Sequence, residues 1–100
     1  MKSKEEIEID FSRAIAQAQE LEEIAKELSQ IANAHIAGAL EILALSWQGE
    51  NAERYQGKGM MLKQDMFETA DDLIKVAKNI RMTSDLVYRA EKTATIAAMS

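Results

Sequence analysis

Residues 21–45 read LEEIAKELSQIANAHIAGALEILAL. Leu21, Ile24, Leu28, Ile31, His35, Gly38, Ile42 and Leu45 fall at alternating steps of three and four, the spacing that lines side chains along one stripe of a helix. Beside them Ala18, Ala25, Ala32 and Ala39 recur every seven residues. Together the two rows widen the apolar face to about three positions in seven, the width of a bundle helix rather than of a bare two-stranded coil. A helix with such a face has two surfaces to cover.

The second half of the chain repeats the pattern. Tyr55, Leu62, Met66, Thr69, Leu73, Val76, Ile80, Thr83, Val87, Ala90 and Ala94 keep one register, with Ala70 and Ala77 alongside, and predict a second long amphipathic helix. Glu22 with Lys26, Asp71 with Lys75 and Asp85 with Arg89 each set an acid four residues ahead of a base. Such pairs mark a solvated helical face and add only about 0.3–0.5 kcal/mol apiece.

Composition agrees. The 100 residues include no proline and no cysteine, and 47% are hydrophobic, drawn mostly from Ala, Leu, Ile and Met, which favour helix over sheet. One all-α unit held by packing alone is expected. A net charge of -5 opposes binding to nucleic acid or anionic membranes. The opening MKSKEEIEID is too acidic for a cleaved signal peptide. The longest apolar run, Ile36–Leu45, is interrupted by Glu41 and is far below the roughly 20 residues that span a bilayer, so no membrane insertion is expected.

Two starts are open to the first helix: Ser3, where Ser-Lys-Glu-Glu6 spells a capping box, or Asp10, after an extended Ile-Glu-Ile lead-in. The alternation of Ile7 and Ile9 favours Asp10, giving helix one over about 10–46, a turn over 47–51 and helix two over 52–97. Gly49 closes the first helix and Asn51 caps the second, a connection short enough to force a helical hairpin. Gly57 and Gly59 weaken the start of helix two by about 1 kcal/mol each, which implies either fraying or the close approach of another backbone. A hairpin alone leaves apolar surface in water, so two are expected to pair into a four-helix bundle. The interface would use Ala18, Leu21, Ala25, Leu28, Ala32, His35, Ala39, Leu73 and Ile80, the small residues letting a second hairpin approach.

Trp47 stands in the turn. It either plugs the open end of the hairpin or serves recognition. Trp47-Gln48-Gly49 near the midpoint of a hundred-residue helical hairpin, followed by Ala52 and Tyr55, resembles the WXG family of small type VII secretion proteins of Gram-positive bacteria and mycobacteria. Trp47 and Gly49 match the name-giving positions, Ala52 the small residue after the turn, and Tyr55 the aromatic eight residues past the tryptophan. The Ile-Glu-Ile-Asp opening is similar to the family's extended lead-in. The resemblance implies a dimer made in the cytoplasm and secreted without a cleaved signal peptide by a membrane ATPase. Its partners would be a second copy, a paralogous hairpin or a larger helical effector. The family's export signal sets an acid four residues after a tyrosine. Here Tyr88 is followed by Lys92 at that spacing, with Glu91 one position early, and Tyr88 and Glu91 are the candidate signal on an outward flank. Val87, Ala90 and Ala94 would bind sister helices.

Catalysis finds little purchase. A di-metal bundle needs Glu-x-x-His on two helices, but the sole histidine, His35, follows Ala32 and suits a packed imidazole. Gln-Gly-Lys-Gly at 56–59 is a weak phosphate-loop signal. No catalytic residue, metal or cofactor is expected. A rival reading is a cytoplasmic adaptor for a larger type VII-secreted toxin, with Met60, Met61, Met66 and Met82 giving a pliable surface for a non-identical helix.

Overall fold

A computed structural model of the chain describes residues 2–46 and 49–99. The chain is all-α: α1 spans Lys4–Gln30, a π-helical turn Ile31–Ile36, α2 Ala37–Ser46 and α3 Glu50–Met99. No strand occurs among the described residues.

The start of α1 is decided by Ser3. Its hydroxyl accepts the Glu6 N–H at 3.1 Å and its carbonyl accepts the Ile7 N–H at 3.1 Å, which is how an N-cap satisfies the first orphan donors. The expected start at Asp10 is therefore corrected to Lys4, and the extended lead-in is helix. The reason shows in burial. A strand would put Ile7 and Ile9 on one face, whereas a helix turns them about 200° apart; Ile7 is 2% exposed and Ile9 49%.

The chain packs as two compact units. Unit one joins Met1–Glu22 to Ile74–Ser100, and unit two is Glu23–Leu73. In unit one α1 and α3 run antiparallel: Glu8 meets Tyr88 and Lys92, and further along α1 Glu22 meets Arg81, lower in α3. In unit two the remainder of α1, the π turn and α2 lie beside the first half of α3, with Leu40 against Gly59.

Each unit is seamed by alanine. Ala18 and Ala77 in unit one, and Ala25, Ala32, Ala52 and Ala70 in unit two, are buried. Small side chains let two backbones approach closely, which pushes larger residues to the flanks of the contact. The alanine column is thus already spent inside the chain, so Ala18, Ala25 and Ala32 are not the free surface expected for a second hairpin; Ala39 is exposed.

The π turn explains where the column stops. The Ala37 N–H reaches back five residues to the Ala32 carbonyl, so the turn holds more residues than an α-turn and shifts the inward face by one position. After Ala32 the inward positions are Leu40 and Leu43, both half-buried, in place of Ala39 and Ile42. Ile42 is 66% exposed and Leu45 86%.

At the start of α3, Gly49 has φ +103° and its carbonyl accepts the Glu53 N–H at 3.2 Å. Gly49 occupies the cap position expected of Asn51, which lies within α3. Trp47 and Gln48 lie outside the described residues. Gly57 and Gly59 sit inside continuous helix; Gly57 faces open space, and what approaches Gly59 is the Leu40 side chain rather than a backbone.

Candidate functional site

The alanine seams divide each helix surface into two flanks. Residues four places after a column member lie on one, and residues just before a column member on the other. In antiparallel pairing like flanks of the two helices meet.

In unit one the first flank is polar and closed. Glu22 and Arg81 form an ion pair, not the Glu22–Lys26 pair expected along one helix. The Tyr88 hydroxyl donates to Glu8 Oε1 at 2.7 Å, Lys92 Nζ lies 3.1 Å from the same oxygen and 4.8 Å from the centre of the Tyr88 ring. Phe11 stacks against that ring at 4.4 Å with the planes inclined 36°. Lys2 bridges Asp10 at 2.8 Å and Glu91 at 3.0 Å. The hydrogen bond from Tyr88, aided by Lys92, holds the Glu8 carboxyl below its ordinary range. Tyr88 and Glu8 hold the Lys92 ammonium above its own, Glu22 does the same for Arg81, and Asp10 and Glu91 do so for Lys2.

This corrects the expected outward placement of Tyr88 and Glu91. Both are half-buried and engaged within the chain, Tyr88 with Glu8 and Phe11 and Glu91 with Lys2. The expected sister-helix positions Val87, Ala90 and Ala94 are exposed. The sequence reading passed over Glu8, Phe11 and Arg81. Their signal was placement: Glu22 and Arg81 each follow a column alanine by four residues, which puts opposite charges on flanks that meet.

The opposite flank of unit two is apolar and open. Ile24 and Ile31 of the first half and Leu62 of α3 are exposed, with Thr69 exposed beside them and Leu28 and Leu73 half-buried. Tyr55 is exposed and Ala52 buried. His35 lies in the π turn and is exposed rather than packed in an apolar row. An open groove of about 620 Å³ separates Ala37, Leu40 and Ala44 from Met60 and Phe67, with Glu41 and Lys63 at its edges.

By length and composition the helical run Lys4–Leu45 is apolar enough to cross a membrane, with one window at mean hydropathy 1.3 of which 6% is buried. Counting uninterrupted apolar residues missed this, because Glu41 breaks the run. Among the described residues no group of three His, Cys, Asp or Glu side chains could hold a metal ion.

Comparison of the chain with family models, with curated proteins and with solved structures finds no match.

Proposed function

We propose that the chain works by protein–protein contact, as a helical hairpin that pairs with a second copy into a four-helix bundle, and that it is a substrate or partner protein of a bacterial type VII secretion system. The observation that carries the pairing is the open apolar flank of unit two, Ile24, Ile31 and Leu62. Trp47-Gln48-Gly49 near the midpoint of an all-α chain of one hundred residues carries the link to secretion through its resemblance to the WXG family. The chain is made in the cytoplasm, exported without a cleaved signal peptide, and has no enzymatic role.

The test is mass spectrometry of culture medium from cells with and without the type VII ATPase. The intact chain should appear only with the ATPase. Its presence in both media, or its retention in the cells of both, overturns the export reading.

A second reading, a cytoplasmic adaptor for a larger type VII-secreted toxin, draws on Met60, Met61 and Met82, all exposed and suited to a non-identical helix. Co-purification of a larger helical effector at one-to-one stoichiometry would favour it over the homodimer.

A further inference from the structure

The groove of unit two is built from two four-residue frames. On α2 its wall is Ala37, Leu40, Glu41 and Ala44. On α3 it is Met60, Lys63, Gln64 and Phe67. Each set runs i, i+3, i+4, i+7, the spacing at which four side chains surround one hole on a helix surface, and such a hole takes a knob from a facing helix. Both frames open onto the same space of about 620 Å³. Leu40 lies against Gly59, so the α2 frame has only alanine at its two ends and admits a large knob.

The charges at the edges separate this groove from the rest of the chain. Every ion pair among the described residues lies in unit one. Glu41 and Lys63 border the groove of unit two, one on each wall and opposite in sign, and neither has a hydrogen-bond or ion-pair partner among the described residues.

We propose that this groove seats an amphipathic helix of another protein, with apolar knobs along its centre, a base on the edge beside Glu41 and an acid on the edge beside Lys63. A helix is the occupant because both frames have the period of helical knobs, which an extended chain or a small molecule does not present. The two charges fix which way it lies: turned end for end, the same helix would set its base against Lys63 and its acid against Glu41. Met60, exposed on the α3 wall, lets that wall adapt to a non-identical helix. The proposal deepens the adaptor reading above and rests on it for the source of the helix. It leaves the homodimer standing, because Leu62 of the flank assigned to the second copy is two residues from Met60 and therefore about 200° around α3.

The test uses the full chain and three synthetic helical peptides that share one apolar stripe and differ only at their edges: Lys on one edge and Glu on the other, Lys on both, or Glu on both. In fluorescence anisotropy the mixed peptide should bind about tenfold or more tighter than either of the others, since like charges set against each other are penalised. Glu41→Lys should move the preference to the peptide with Glu on both edges, and Lys63→Glu to the peptide with Lys on both, while circular dichroism stays helical. Ala44→Phe fills the α2 frame and should abolish binding of all three peptides without changing the chain's mass in light scattering. Equal binding of the three peptides to every variant, or no binding at millimolar peptide, overturns the proposal. A change of mass on either charge variant overturns it too, by giving the groove to a second copy. The homodimer is judged separately, from the mass of the unsubstituted chain without peptide.

Discussion

The two units close the same kind of helix pair by different means. Unit one ties the start of α1 to the end of α3 with side chains that reach across one flank: Glu22 to Arg81, Glu8 to Tyr88 and Lys92, Lys2 to Asp10 and Glu91. Unit two relies on small residues, with Ala25, Ala32, Ala52 and Ala70 buried, a glycine opposite a leucine, and a π turn. Charged ties fix a pair of helices with little apolar burial. An alanine seam buries little area per residue, so the larger aliphatics beside it stay in water until something covers them. The difference separates a unit tied by charged side chains from one seamed by small ones, and both leave aliphatics in water, Leu86 and Val87 in the first and Ile24 and Leu62 in the second.

The harshest way to break that comparison is a charge in the alanine seam. Ala25→Glu should cost several kcal/mol, because the carboxylate would be buried without a partner, and should be seen in urea melts as loss of the monomer's own fold. Were Ala25 instead a surface for a second hairpin, the same variant would remain a stable helical monomer.

Next in size is Gly49→Ala. At φ +103° a methyl group is strained whatever the space around it, and a loss of about 1 kcal/mol or more is expected. Gly57→Ala, in open helix, should stabilise by about 0.5–1 kcal/mol. Opposite signs in thermal melts would separate a glycine the turn requires from one the helix merely tolerates.

Tyr88→Phe keeps the ring against Phe11 and removes the hydrogen bond to Glu8, and should cost about 0.5–1.5 kcal/mol. Amide exchange should quicken in unit one and remain unchanged in unit two. An unchanged unit one would restore Tyr88 as an outward residue free for an export component.

The smallest effect is that of pH. The folded state lowers the Glu8 pKa, so this tie contributes stability above the ordinary carboxylate pKa and loses it as pH falls through the folded value. It raises that of Lys92, whose contribution is complete below the ordinary lysine range and is lost as pH rises through the folded value. Stability of unit one should therefore be flat across neutral pH and decline at both extremes. Glu8→Gln should remove the Glu8 share of the acid decline, and a profile unaltered by it would show that the acid limb comes from other carboxylates.

Helix was legible from the residues alone. Two rows at spacings of three, four and seven, with no proline, admit no other regular structure, and the rows Ala18–Ala32 and Ala70–Ala77 were visible as columns. Ser3 with Glu6 was visible as a cap as well, but local patterning set it against the alternation of Ile7 and Ile9. The burial of Ile7 beside α3, with Glu91 lining the same pocket, is what favours the cap over the alternation. Which row faces inward was likewise beyond the sequence. An aliphatic stripe and an alanine stripe sit side by side on one helix, and hydrophobicity alone favours the larger side chains for the core. The tertiary structure reverses that choice: the alanine columns are buried, and Ile24, Ile31 and Leu62 lie exposed beside them, as expected where small side chains form the seam between helices. Leu40 lies opposite Gly59, a long-range match that no window along the chain contains.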